Sequence, residues 1–161
     1  MSKPQPPHGD RPAYGRLQIL LALSVLALAV QLAWPSLTAW RHRPRPGRQV
    51  TTALAGYPCL VYLPRGYGAS EDAWPLLVYL HGSGARGHDA DALRLKGPPA
   101  RIDRGFGLPA IVVSPQCPPG DHWRPERLLS LVDAVEQRFR VSRVVVTGYS
   151  MGGFGAWALA Q

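Results

Sequence analysis

The run Thr147-Gly148-Tyr149-Ser150-Met151-Gly152-Gly153 constrains this chain more than any other stretch. It follows the apolar Val144-Val145-Val146 and precedes a segment of small residues from Phe154 to Ala160. That order predicts a strand, a sharp turn with Ser150 at its apex, and a helix. On such a turn the residues two before and two after the serine crowd each other, so both should lack a Cβ; both Gly148 and Gly152 do. The hydroxyl is then held above the end of the sheet, and the first N–H groups of the helix face it. Donors placed there favour negative charge on a substrate oxygen, which is what acyl transfer needs. A glycine-rich turn without chemistry, following a buried strand, is the competing reading of the same residues.

Upstream, short apolar runs alternate with helical patterns. Tyr57 to Leu63 reads as a strand stopped by Pro64-Arg65-Gly66, and Leu76 to Leu80 as a second that runs directly into His81-Gly82-Ser83-Gly84. Asp89 to Lys96 reads as a short helix ended by Gly97-Pro98-Pro99, with another starting near Pro99. Ala110 to Ser114 is a third strand, followed by the loop Pro115 to Trp123. Pro125 to Arg140 carries the clearest helical pattern: Pro in the first turn, Glu126 near the positive end of the dipole, and Leu128, Leu131, Val132, Val135 and Phe139 on one face. Strands joined by helical crossovers favour a mostly parallel sheet covered on both faces, a three-layer α/β sandwich. In such a sheet the loops at the strand carboxyl ends form the binding crevice. Gly82-Ser83-Gly84, Gln116 to Trp123 and Ser150 all lie on such loops.

The N-terminal third is of another kind. Residues 1–16 are rich in Pro and polar side chains and read as a disordered basic leader. Residues 17–34 hold no formal charge and only three polar interruptions, Gln18, Ser24 and Gln31. As a helix they would extend about 27 Å, close to the ~30 Å hydrocarbon thickness. A retained membrane anchor and a cleaved signal segment both fit, with the anchor slightly favoured because the best cleavage site, Leu37-Thr38-Ala39, puts a bulky leucine where a small residue is needed. Residues 35–49 form a Pro- and Arg-rich linker, and the globular domain is expected over 50–161.

The formal charge of +8 bears on partners once it is localised. Residues 1–50 carry seven Lys and Arg against Asp10 alone, which leaves a net of only +2 for the remaining 111 residues. The basicity flanks the apolar run and fits a membrane surface, not a nucleic acid. A membrane-anchored or exported protein with an extracytoplasmic domain is the expectation, although three basic residues before the span and four soon after it do not themselves set its orientation. Cys59 and Cys117 lack metal-ligand spacing and read as small buried residues, with a disulfide between them left open. Neither a metal nor a cofactor is expected.

Leu80-His81-Gly82-Ser83-Gly84-Ala85-Arg86-Gly87 together with Gly148-Tyr149-Ser150-Met151-Gly152-Gly153 resembles the α/β-hydrolase superfamily. Within it the chain is similar to the esterase and peptidase-like group that includes feruloyl-esterase and polyhydroxybutyrate-depolymerase relatives. The likeness runs from about Val50 to Gln161, with Pro115-Gln116-Cys117-Pro118 and Trp123 as further points. It implies Ser150 as nucleophile and the backbone N–H groups of Met151 and Ser83 as the oxyanion hole. His81, Gly82, Gly84, Gly148 and Gly152 support those loops, and Trp123 and Tyr149 are candidate walls of the substrate pocket, with core packing the competing reading for each aromatic. A small or polymeric ester is the implied substrate.

One departure counts against a complete site. The superfamily's acid and histidine follow the serine in the chain, yet residues 151–161 contain no Asp, Glu or His. His122, beside Asp121, is the upstream substitute on the correct edge and is expected to be a solvated loop residue; His88, His8 and His42 are weaker candidates. A serine without a base is a weak nucleophile, so the expectation is a C-terminally incomplete hydrolase domain, inactive by itself. A membrane-tethered pseudoenzyme or binding module is the rival.

Overall fold

The structure, a computed structural model, describes residues 19, 21–28, 31, 44–69 and 71–161. Two units separate, Met1–Arg41 and His42–Gln161. In the first, residues 21–28 are helical and exposed. Among the described residues no helix is long and apolar enough to cross a membrane. The leader 1–16, the rest of the expected 17–34 span and linker residues 35–43 lie outside the described residues.

The second unit is a five-stranded sheet in the order β1-β2-β4-β3-β5. Its strands are β1 (Gln49–Leu54), β2 (Tyr57–Tyr62), β3 (Trp74–Leu80), β4 (Ile111–Pro115) and β5 (Val141–Gly148). The helices are α1 (Gly97–Asp103), α2 (Pro125–Glu136) and α3 (Met151–Leu159), with 3-10 turns at Ser83–Ala85 and Ala90–Leu95. Strand β3 pairs in parallel with both β4 and β5. The other two pairings, β1 with β2 and β2 with β4, are antiparallel. The expectation of a mostly parallel sheet is therefore correct for the half that carries the serine turn and incorrect for the other half. The reason is local: Ala55 and Gly56 have φ of 46° and 78°. Two successive positive φ values make the tight turn whose twist matches a right-handed hairpin, so β1 folds straight back on β2.

Alternation along the strands builds a core on each face. Tyr57, Cys59, Val61 and Leu63 join Leu76, Val78 and Leu80 and Ile111 and Val113 beneath Leu128, Leu131 and Val135 of α2. On the opposite face Leu60 packs with Ala90 and Leu93, and Tyr62 and Val112 pack with Ile102 of α1. These are the three layers, and strand residues two apart share a layer as the pleat requires.

Helix α2 starts at Pro125 as its pattern predicts but stops at Glu136, four residues short of Arg140. The backbone there is taken by other partners: the Arg140 N–H donates to Tyr67 Oη at 3.0 Å and its carbonyl accepts from Trp74 N–H at 2.8 Å. Arg140 is thus held at the entry to β5, and Phe139 still reaches the core. Around residue 97 the Gly-Pro-Pro run starts α1 with Pro in its first turn, where its missing N–H is no loss, so it does more than end the preceding segment.

Strand β5 is the outer strand on its side among the described residues, and Val144 and Val145 are 37% and 45% exposed. Leu131, at the centre of the main core, is fully buried. Leu131→Ala is expected to destabilise the domain by about 2–5 kcal/mol, read as a lower urea midpoint; an unchanged midpoint would remove α2 from the core.

Candidate active site

Ser150 sits between β5 and α3 with φ 52° and ψ −118°. A positive φ on a residue with a Cβ costs roughly 1–3 kcal/mol and persists only where its surroundings enforce it. Here the enforcement comes from close packing. A Cβ added at Gly148 would collide with the Gly152 carbonyl, and one at Gly152 with the Leu80 carbonyl at the end of β3. The Tyr149 N–H also donates to Leu80 O at 3.1 Å. The turn is therefore folded back onto the adjacent strand, and only glycine fits at either flank.

That contact brings the two expected motifs together. An added Cβ at Gly82 would stand 3.5 Å from Ser150 Cβ and 3.3 Å from Tyr149 O. The loop from His81 to Ala85 thus lies directly against the serine turn, and Ser83 and Ser150 line the same cleft, about 860 Å³ in volume, with Tyr149, Arg86 and Lys96. At the entry to α3, Gly152 N–H closes on Tyr149 O at 2.9 Å and Gly153 N–H on Ser150 O at 2.8 Å. Met151 occupies the first helical position, where an N–H has no partner inside its own helix. Ser83 begins a 3-10 turn whose internal bonds start at Ala85 N–H, so its own N–H is likewise outside that turn's bonding.

His81 is 3% exposed and has both ring nitrogens engaged. Nε2 accepts from the Cys117 N–H at 3.0 Å, which leaves the proton on Nδ1, 2.7 Å from the Gly82 carbonyl oxygen. Burial, with Arg86 adding to it, holds its pKa below the usual histidine value despite the Gly82 carbonyl. A neutral ring with both nitrogens bonded braces the loop and is not available as a base.

The loop after β4 does most of the bracing. Gln116 Nε2 donates to Ala85 O at 3.2 Å, Gly87 N–H donates to Cys117 O at 3.0 Å, and Trp123 Nε1 donates to His81 O at 3.0 Å. Trp123 also meets the His81 ring edge-on at 5.0 Å. Of the two candidate pocket walls, Trp123 takes the core alternative, beneath the loop and outside the cleft lining, whereas Tyr149 lines the cleft and is exposed. The bracing roles of Gln116 and Cys117 were not readable in advance. The only signal was an isolated Pro-Gln-Cys-Pro on the same sheet edge.

No described histidine or carboxylate hydrogen-bonds Ser150. The His122 ring is 64% exposed and stands 3.8 Å from the Asp121 carboxylate. Asp121 receives the His122 backbone N–H and the guanidinium of Arg127 at 2.9 Å, and these contacts hold its carboxyl below the usual carboxylate range. Cys59 and Cys117 are free and buried. Burial pushes the Cys59 thiol up to about 12 and raises that of Cys117, so neither supplies a thiolate near neutral pH. Among the described residues no group of three or more His, Cys, Asp or Glu side chains is placed to hold a metal.

The buried neutral His81 fixes a pH dependence. Its folded pKa lies below the unfolded value of 6.5, so the unfolded chain binds more protons between the two and stability rises with pH across that window. Stability is complete above pH 6.5 and falls as pH drops through the folded pKa. The urea midpoint is expected to be higher at pH 7.5 than at pH 5, and His81→Gln should be less stable with a flatter profile between them. An unchanged slope in the variant would show that His81 is not the group responsible.

No protein-family model and no curated protein matches the chain. Among solved structures, a thermostable esterase aligns over 68% of this chain and 36% of its own, with TM-score 0.51 and 21% identity. A Thermus thermophilus protein aligns at 23% identity over 70% of this chain and 50% of its own, with TM-score 0.43. A ferulic acid esterase aligns at 20% identity over 68% and 50%, also with TM-score 0.43. The chain spans about a third of the length of the thermostable esterase. At that identity the likeness is one of fold alone: the chain shares a mixed α/β fold with part of that thermostable esterase.

Proposed function

We propose that this domain is the nucleophile-bearing part of a serine hydrolase that cleaves carboxylic esters. The observation that carries the reading is the Ser150 turn, held at φ 52° against the Gly82-Ser83 loop. Strained non-glycine residues of that kind cluster at functional sites, and this one lies at the mouth of the cleft. Ser150 Oγ attacks the ester carbonyl carbon as its proton passes to a histidine. The Met151 and Ser83 N–H groups hold the oxyanion of the tetrahedral intermediate. The intermediate collapses, the alcohol leaves with that proton, and water then releases the acid and regenerates the serine. Gly148, Gly152 and Gly82 permit the close approach, Gly84 belongs to the loop that lines the cleft, Tyr149 borders the cleft, and His81 and Trp123 brace it.

The histidine and its acid come from residues outside these 161, either in the same polypeptide or from a partner. Three features support this: no described histidine or carboxylate hydrogen-bonds Ser150, β5 has exposed Val144 and Val145, and a structural relative is nearly three times the aligned span. The apolar segment 17–34 with its basic flanks would hold the domain at a membrane or direct its export, on the extracytoplasmic side, with no nucleic-acid partner. A tethered, non-catalytic binding module is the second reading, favoured by the unaided Ser150.

With the histidine and acid present, Ser150→Ala is expected to lower p-nitrophenyl acetate hydrolysis by about four to six orders of magnitude, with the circular dichroism spectrum unchanged. Hydrolysis at the parental rate in the variant would overturn the assignment. Absence of hydrolysis in both would favour the binding module.

A further inference from the structure

The cleft beside Ser150 has an unbalanced charge. Fifteen residues line it; Arg86 and Lys96 are cationic, and none is Asp or Glu. Lys96 is exposed at the rim, whereas Arg86 is half-buried. Among the described residues the groups that interact with the Arg86 guanidinium are neutral. One terminal nitrogen donates to Met151 Sδ at 3.0 Å, and its Nε is buried with no hydrogen-bond partner. The other two groups that feel its charge are the His81 ring, kept unprotonated by burial, and the Cys117 thiol, kept protonated by burial. No described carboxylate forms an ion pair with it, although Arg94, Arg124, Arg127 and Arg140 each have one.

A partly desolvated guanidinium without an anion is unfavourable, because burial weakens its hydration and a thioether is a poor acceptor. A ligand anion would complete such a group, and the planar fork of arginine matches a carboxylate. The position is also suggestive. Met151, the contact of Arg86, directly follows Ser150, so an anion on Arg86 would lie within one small molecule's length of the serine hydroxyl. A single half-buried cation balances one negative charge, which suits a carboxylate better than a phosphate dianion.

We propose that Arg86 is a specificity residue, and that the cleft takes esters bearing a free carboxylate a few bonds from the scissile carbonyl. The inference rests on the esterase reading for its substrate class, while its test reads binding alone. Arg86 would hold the carboxylate and so orient the carbonyl toward Ser150. Lys96 would add attraction at the rim.

The experiment is calorimetric titration of the full chain with monomethyl succinate and with its neutral counterpart, dimethyl succinate. The unmodified chain is expected to bind the monoester about tenfold or more tightly, as one charge-assisted pair supplies. Arg86→Gln should remove that preference, and Arg86→Lys should retain part of it. A merely structural Arg86 would weaken both probes equally and leave their ratio unchanged. Equal binding of the two probes by the unmodified chain, no binding of either, or a preference that survives Arg86→Gln would overturn the proposal. If Arg86→Gln does not fold, the unmodified chain and Arg86→Lys still decide it, because the ratio of the two probes is read in each. Selective binding without hydrolysis in any completed form would leave the charge selectivity standing and remove only the esterase reading.

Discussion

The structure depends on one close approach, that of the Ser150 turn to the Leu80 carbonyl at the end of β3. Because neither Gly148 nor Gly152 has a side chain, the chain reverses within van der Waals distance of itself and of the neighbouring strand. Parallel pairing of β3 with β5, in register from Leu76 opposite Val144 to Leu80 opposite Gly148, delivers both strands to that point. Both motif loops therefore leave the sheet side by side. Any side chain at 152 would push α3 away from Leu80, separate Met151 from Ser83 and disperse the two donors.

A strained turn needs rigid surroundings, and the loop after β4 supplies them. Cys117, Gln116 and Trp123 each contribute one hydrogen bond to the His81–Ala85 segment, so a short stretch of irregular backbone is held from beneath by a core aromatic and two buried polar groups. Buried polar groups satisfied in this way specify one loop conformation, since losing any partner leaves a desolvated donor or acceptor. His81 is central to this brace because its two nitrogens play opposite roles, and burial keeps it in the single protonation state that fits both.

How much was legible follows from which interactions are local. The serine turn, the His81-Gly82 loop and helix α2 were readable because glycine spacing and a 3.6-residue apolar period are determined by neighbours in sequence. The end of α2 was not, because Tyr67 and Trp74, about seventy residues away, capture Arg140. Strand β1 and its hairpin escaped because Ala55-Gly56 lacks the usual Asn-Gly or Asp-Gly signal, although its φ values are those of such a turn. For Trp123 the sequence leaves wall and core both open, because an aromatic near such a loop suits either, and only the packing of α3 and His81 around it places it in the core. The isolated charge of Arg86 was invisible for a related reason: the sequence shows an arginine, and only the fold shows that no carboxylate comes to meet it.

The central claim is that Ser150 is held as a nucleophile, with Ser83 and Met151 placed to receive the negative charge its attack creates. Mass spectrometry after reaction with a fluorophosphonate, on protein supplied with its histidine and acid, tests this most directly. The account predicts a single phosphonyl adduct on the peptide containing Ser150, absent from Ser150→Ala. An adduct confined to another residue, or an unlabelled Ser150 in that completed protein, would contradict it.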